Sequence, residues 1–144
     1  KARRFYVSWN SWAAQAERKV SRVLEELPMD QFIVMSDVCI KYGNIDHLVV
    51  RDDGRVFIIE TKSQRGRITF DGKAICLNGK PFKQNYVAQI NRNIRWLKEF
   101  IGLPRERLWF TAILVFPNAS VDAVTVSKGA YLTSLQSMMK VVCS

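Results

Sequence analysis

The residues best suited to chemistry lie between Ile45 and Lys62: 45-IDHLVV-50, then Asp52-Asp53-Gly54, then 55-RVFIIETK-62. Both apolar runs have the period and residue types of strands, and the Asp-Asp-Gly between them is turn chemistry. A three-residue loop with Gly54 in the left-handed conformation makes Arg51 face Arg55 and sets Asp46 directly opposite Glu60. Side chains alternate along a strand, so Lys62 shares the Glu60 face and Thr61 points away. A two-residue loop would pair Asp46 with Thr61 and scatter the group. Opposed carboxylates repel, and Lys62 together with a divalent cation would neutralise them. Mg²⁺ takes oxygen ligands and keeps several waters. Asp46, Glu60 and the backbone carbonyl of Thr61 supply part of an octahedron, open to water and a phosphate oxygen. Such a metal activates water and stabilises phosphate charge, and Lys62 beside it can orient the attacking water and offset developing negative charge. These are the parts needed for phosphodiester hydrolysis. An exposed Asp–Lys–Glu surface cluster is the competing account. Leu48, Val49, Val50, Phe57, Ile58 and Ile59 argue against it by placing both strands inside a sheet.

The elements around this hairpin must position it. Residues 11–27 are expected to form a helix capped by Ser11 or Asn10, with apolar residues at Ala13, Val20, Leu24 and Leu27 and Pro28 ending it. Glu17 falls in that stripe and leans inward, where a carboxylate needs a partner: a cation or a neighbouring Arg or Lys. Segment 31-QFIVMSDVCI-40 is a further strand. Residues 66–70 and 73–77 form a small hairpin turning at Asp71-Gly72. A long helix is expected from about Pro81, a favourable first helical residue, to Phe100 or Ile101, striped by Val87, Ile90, Ile94, Leu97 and Ile101 and ended by Gly102 and Pro104. Gln84 then lies in its first turn. Segment 109-WFTAILVF-116 is a central strand, followed by a short strand at 124–126 and a weak helix from Leu132 to about Lys140. The order αβββ(ββ)αββα is an α/β domain with a mixed sheet.

Composition narrows the function classes. The 144 residues carry 22 Lys and Arg against 13 Asp and Glu, a net charge of +9, with 48% hydrophobic residues and four prolines. That suits one folded domain, residues 1–144, rather than a disordered chain. The first residue is Lys, not Met, as in a piece excised from a longer multidomain protein. No apolar run approaches the ~18 residues that span a bilayer, and the basic N-terminus lacks an apolar signal segment. Three widely spaced cysteines, Cys39, Cys76 and Cys143, form neither a disulfide framework nor a zinc pair and suit a reducing, cytoplasmic setting. His47 is the one histidine, so multi-histidine metal sites are excluded; strand alternation turns it away from Asp46 into a structural role. Gly72-Lys73-Ala74 is not a phosphate-binding NTPase loop. The basic excess points to a polyanion, nucleic acid ahead of a membrane surface.

An Asp in a strand, a following Glu-x-Lys and a Glu on the preceding helix resemble the PD-(D/E)XK nuclease superfamily. Its restriction-endonuclease-like αβββαβ core has a mixed central sheet flanked by helices. GNIDHLVV, VFIIETK, Gly66-x-Ile68 and Pro81-Phe82-x-Gln84-Asn85 are similar to the nuclease-related domain (NERD) branch over roughly residues 12–117. Ile45 stands where the superfamily name has Pro, Ala16 precedes Glu17 where Gly is expected, and Lys80 precedes Pro81 where Asn is usual; no charged group is lost. The resemblance implies a Mg²⁺- or Mn²⁺-dependent hydrolase acting on DNA, endonuclease favoured over exonuclease. It implies Asp46 and Glu60 as metal ligands, Lys62 as the catalytic lysine, Glu17 reaching the metal through water, and Gln84 as an auxiliary polar residue near the substrate. It also implies a homodimer and companion domains in the parent chain. Arg18, Arg65, Arg67, Lys73 and Lys83 are placed to hold backbone phosphates, which position nucleic acid without reading sequence. No base-reading device is evident, so cleavage is expected to be structure-directed or non-specific. The alternatives are a non-catalytic nucleic-acid-binding module on the same fold and a protein-interaction domain of a larger chain.

Overall fold

The computed structural model describes residues 11–102, 107–127 and 129–144. Asn10 and Pro104, named above as cap and helix stop, lie outside the described residues.

The first helix, α1 (Trp12–Leu24), begins where the Ser11 side chain accepts a hydrogen bond from the Ala14 amide at 3.1 Å. It ends at Leu24, three residues short of the expected limit, and Leu27 stays buried in the turn that follows. Its inward stripe is Ala16, Val20 and Leu24, while Ala13 is exposed. Strands β1 (Phe32–Ile40), β2 (Gly43–Arg51) and β3 (Arg55–Thr61) form an antiparallel meander. The β2–β3 register is the one a three-residue loop dictates, from Val50 opposite Val56 to His47 opposite Ile59. Gly54 has φ of 91° and Arg51 grips the Asp53 carboxylate at 2.7 and 2.9 Å, so the turn is fixed by its own residues.

Next come β4 (Gly66–Phe70), β5 (Ile75–Leu77) and the two-residue β6 (Lys80–Pro81). Here the structure corrects the sequence reading. Pro81 does not open the long helix: it pairs with Cys76 across β5–β6, and the Phe82 amide donates to the Ile75 carbonyl at 3.0 Å. The helix, α2 (Tyr86–Ile101), is capped instead by Asn85, whose side chain accepts from the Ala88 amide at 3.0 Å, and it ends at left-handed Gly102. Gln84 therefore precedes the helix and is exposed.

Strand β7 (Trp109–Val115) lies parallel to β3, as a central strand should. After β8 (Ala119–Val121) come β9 (Val124–Ser127), β10 (Ala130–Thr133) and α3 (Leu135–Cys143). Leu132 belongs to β10, which pairs parallel to β7, so α3 starts three residues later than expected. Ser134 and Ser137 close a reciprocal cap at that point. The main sheet is ordered β1-β2-β3-β7-β10-β9 and the small one β6-β5-β4-β8.

Both faces of the main sheet are covered, which explains the unbroken apolar runs in β3 and β7. Leu48, Val56, Ile58 and Leu114 pack with Ile90, Ile94 and Leu97 of α2. Val49, Phe57, Ile59 and Ile113 pack with Val20 and Leu24 of α1 and Met138 and Val142 of α3. Helix, three-strand meander, helix and parallel strand make up the restriction-endonuclease-like αβββαβ core within an α/β fold.

Candidate active site

The β2–β3 ladder stops at His47 and Ile59, one pair short of Asp46 and Glu60. At that point the Asp46 carboxylate accepts a hydrogen bond from the Thr61 amide at 2.8 Å. A side chain thus takes a donor that a continued ladder would have used, and Asp46 is fixed against β3 by the backbone. On the other side the Lys62 amide donates to the Val115 carbonyl at 2.9 Å and keeps the chain attached to β7. The carboxylates thereby gather at the C-terminal end of β3, where the strand is still anchored on both sides.

Glu60 is half-buried and its Oε1 is buried without a hydrogen-bond partner. Burial foremost, then the charge of Asp46 and a hydrogen bond to it, push the Glu60 carboxyl up to about 8; Lys62 pulls it down and Glu17 adds to the rise. Glu17, half-buried on α1, is pushed up to about 7 by burial, by the charge of and a hydrogen bond with Asp46, and by Asp37. Glu17 leans inward from the flank of the Ala16–Val20–Leu24 stripe, and what it meets there is Asp46.

Three mutually repelling carboxylates, with a buried oxygen of Glu60 unsatisfied, form a donor set that favours positive charge. Among the described residues no group of three or more His, Cys, Asp and Glu side chains is arranged to hold a metal ion unaided. A hard cation held by two carboxylates, a backbone carbonyl and several waters does not require one. The residues present fit Mg²⁺ or Mn²⁺ on that basis.

A cavity of about 140 Å³ opens beside this group, lined by Tyr42, Asn44, Glu60, Lys62, Tyr86, Gln89, Arg92 and Asn93. The Lys62 ammonium sits over the Tyr86 ring, 4.2 Å from its centroid, and Gln64 donates to the Tyr86 hydroxyl at 3.5 Å. The Arg92 guanidinium lies over Tyr42 at 4.6 Å. Asn93 is buried with its Oδ1 unpartnered. Apart from Glu60 and Lys62, none of these was assigned to the site from the sequence. The signal was present: Tyr86, Gln89 and Asn93 recur at helical spacing along the apolar face of α2, and polar residues so placed need a polar destination.

Other sequence-derived residues fall elsewhere. Gln84, Lys73 and Lys83 line a separate cavity between the β4–β5 turn and the start of α2. The Arg65 guanidinium stacks over Trp12 at 4.3 Å. Exposed Arg67 on β4 approaches Asp122 at 3.9 Å. Arg18 is half-buried next to Glu17 on α1. His47 is buried on the α1 side, its Nε2 2.7 Å from Ser21 Oγ, and burial lowers its pKa against the pull of Asp46. It serves the packing of α1.

An αβββαβ core with acids at the end of its third strand defines a nuclease-type α/β domain. The family model for the nuclease-related domain matches residues 12–117, and the chain belongs to that family. Among solved structures it is similar to a repair endonuclease from Pyrococcus abyssi, at 21% identity and a TM-score of 0.41 over 88% of this chain and 40% of that one. It is also similar to the EndoMS-dsDNA2 complex, at 15% identity and a TM-score of 0.45 over 90% of this chain and 41% of that one. The chain thus spans about two fifths of the length of these solved chains. No curated protein matches it.

Proposed function

We propose that this domain is a Mg²⁺- or Mn²⁺-dependent nuclease that hydrolyses phosphodiester bonds of DNA without sequence-specific readout. One observation carries the reading: Glu17, Asp46 and Glu60 converge at the end of β3, held there at a cost in mutual repulsion, with Lys62 beside them. Such a cost is expected where function rather than stability selected the residues.

Asp46 and Glu60 would hold the cation with the Thr61 carbonyl, and Glu17 would reach it through water. The cation supplies Lewis-acid activation of water and of the phosphate. Lys62 donates to the attacking water, orients it in line with the scissile phosphorus, and offsets charge on the equatorial oxygens. Tyr86 keeps the Lys62 ammonium over its ring face and so limits its conformers. Arg92 at the cavity mouth is placed to hold a neighbouring phosphate, with Lys73, Lys83, Arg65, Arg67 and Arg18 extending the basic rim.

Phosphate-held binding loses affinity steeply as salt rises. Free cysteines at 39, 76 and 143 suit a reducing intracellular setting. Among the described residues no helix is long and apolar enough to cross a membrane.

The test is cleavage of plasmid and oligonucleotide DNA with Mg²⁺, Mn²⁺ or EDTA by wild type, Lys62→Ala and Asp46→Asn. Metal-dependent cutting that both substitutions abolish is expected. Wild-type cutting by either variant removes that residue from the mechanism. Salt-sensitive binding with no cutting under any metal would leave a binding module instead.

A further inference from the structure

A second cavity lies outside the catalytic group. It encloses about 310 Å³ between the β4–β5 turn and the chain entering α2, and Phe70, Lys73, Ala74, Phe82, Lys83 and Gln84 are among its walls. Tyr86 lines both this cavity and the Glu60–Lys62 cavity, so the two adjoin at that residue. Phe82 is packed in place between Tyr86 and Phe116, with ring centroids at 5.2 and 6.0 Å.

The chemistry of these walls is specific in kind. Phe70 and Phe82 offer apolar ring surface. Gln84, exposed and ahead of the helix, offers an amide that both donates and accepts. Asn85 uses its Oδ1 on the Ala88 amide, which leaves its NH₂ as a donor. Lys73 and Lys83 are exposed and place positive charge at the walls. A flat aromatic ligand with a polar edge, attached to a phosphate, matches this set, and the volume lies at the small end of ligand sites, which run ~300–1,000 Å³.

We propose that this cavity receives an unpaired nucleobase of the substrate strand, next to the phosphate presented to Lys62, so that the domain selects single-stranded or frayed DNA over intact duplex. The proposal rests on the nuclease reading and names its substrate class. It also gives Gln84 a task the catalytic group does not offer: an amide facing a base edge. In a duplex that edge is paired and both ring faces are stacked, so entry costs the unpairing of a base. A single strand enters without that cost. Phosphates held by Lys73 and Lys83 would fix the strand while stacking on the phenylalanines accepts any base, because every base has a π face.

The test is fluorescence anisotropy in EDTA, so that nothing is cut, with labelled oligothymidine alone and annealed to oligodeoxyadenosine. Wild type is expected to bind the single strand roughly tenfold tighter, the scale of one stacked base. Ala74→Trp fills the cavity from its wall and should bring the ratio close to one. Gln84→Ala, in an exposed loop where folding is not at risk, should narrow it about threefold, the scale of one hydrogen bond. Oligothymidine with interspersed abasic sites should lose the same advantage on wild type only. A wild-type ratio near one, with metal-dependent cutting intact, overturns the pocket and leaves the nuclease. An unchanged ratio in both variants also overturns the pocket. Failure to bind either form at low salt overturns the pocket, and the nuclease reading is then decided by the metal-dependent cutting assay alone.

Discussion

Replacing Glu60 by Gln should make the metal-free protein more stable at alkaline pH while abolishing its activity. The sign follows from the raised carboxyl. In the unfolded chain Glu60 ionises around its ordinary value of 4.5; in the fold it holds its proton up to about 8. Below 4.5 both states are protonated and the residue costs nothing. As pH climbs from 4.5 to about 8, the unfolded state gains from ionisation and the folded state does not, so stability falls. Each pH unit is worth about 1.4 kcal/mol, which sets a ceiling of about 5 kcal/mol. Residual access of water to the half-buried carboxyl brings the expected penalty to on the order of 2 kcal/mol. Gln is isosteric, neutral and able to donate to Asp46, so it imitates the protonated acid at every pH. Urea unfolding followed by circular dichroism in EDTA at pH 5 and pH 8.5 is the assay. Near-equal stabilities are expected at pH 5 and a gain of on the order of 2 kcal/mol at pH 8.5, or roughly 6 °C in melting temperature. Mg²⁺-dependent cutting should fall at least roughly a hundredfold in the same variant. A loss of stability equal at both pH values would refute the reasoning, because it would mean that Glu60 is held by packing or hydrogen bonds and carries no charge strain.

Mg²⁺ should raise the melting temperature of wild type at pH 8, by ~2.7 kcal/mol of stabilisation at a hundredfold excess over its dissociation constant, and leave Asp46→Asn unmoved; an equal rise in both would place the cation elsewhere. Gly54→Ala should destabilise by about 1–3 kcal/mol in thermal melts, since the backbone is at φ of 91° and an added Cβ would sit 2.5 Å from the Arg107 carbonyl oxygen; a neutral result would mean that the turn re-forms in another register. Ser21→Ala should cost about 1–3 kcal/mol by leaving His47 buried without its partner. His47 titrates below its ordinary 6.5 in the fold, so stability at that residue falls as pH drops through 6.5, the opposite slope from Glu60. A His47→Gln variant that keeps the wild-type acid limb would remove His47 as its source.

The parts of this site legible in the sequence were those that local chemistry determines. Asp52-Asp53-Gly54 specifies a loop length, loop length specifies register, and register brings Asp46 to Glu60 before any tertiary contact is considered. The start of α2 was misread because two local signals compete. Pro81 favours a first helical turn, yet it also suits an edge strand with no donor to satisfy, and the pairing of β6 with β5 decided the matter. Asn85, an equally good cap, was the better clue. In α1 Val20 and Leu24 face inward as expected, but the small residues Ala13 and Ala16 carry little apolar signal, so exposed Ala13 was put in the stripe where Ala16 belongs. Strand β8 was missed because it is three residues long and pairs in parallel with distant β4, leaving no hairpin turn to announce it. Strand β10 follows β9 across a short turn at left-handed Gly129, and its four residues were merged into the start of the helix expected from Leu132. The polar lining supplied by α2 was signalled only by its spacing: Gln89 and Asn93 acquire a role once they are seen to line one cavity with Glu60 and Lys62.

The site also explains why a buried sheet is needed to carry it. Acids at the end of an exposed strand would relax apart into water and gather no cation. Here Phe57, Ile58 and Ile59 are buried on both faces of β3, so the backbone leading to Glu60 cannot yield. The ladder then ends one pair early, and the freed Thr61 amide is taken by Asp46. That single hydrogen bond joins β2 to β3 at the point where their carboxylates repel. Removing the Asp46 carboxylate should therefore do two opposed things: relieve Glu17 and Glu60 of a neighbouring charge, and leave a strand-end donor unpaired. Asp46→Asn separates them, because its amide oxygen can still accept from Thr61 while the charge is gone. Asp46→Ala removes both. The Asn variant should be at least as stable as wild type at pH 8 in EDTA and the Ala variant less stable than the Asn variant by about 1–3 kcal/mol, although both are inactive. Equal stability of the two, measured by urea unfolding, would show that the Thr61 bond does not hold the site together.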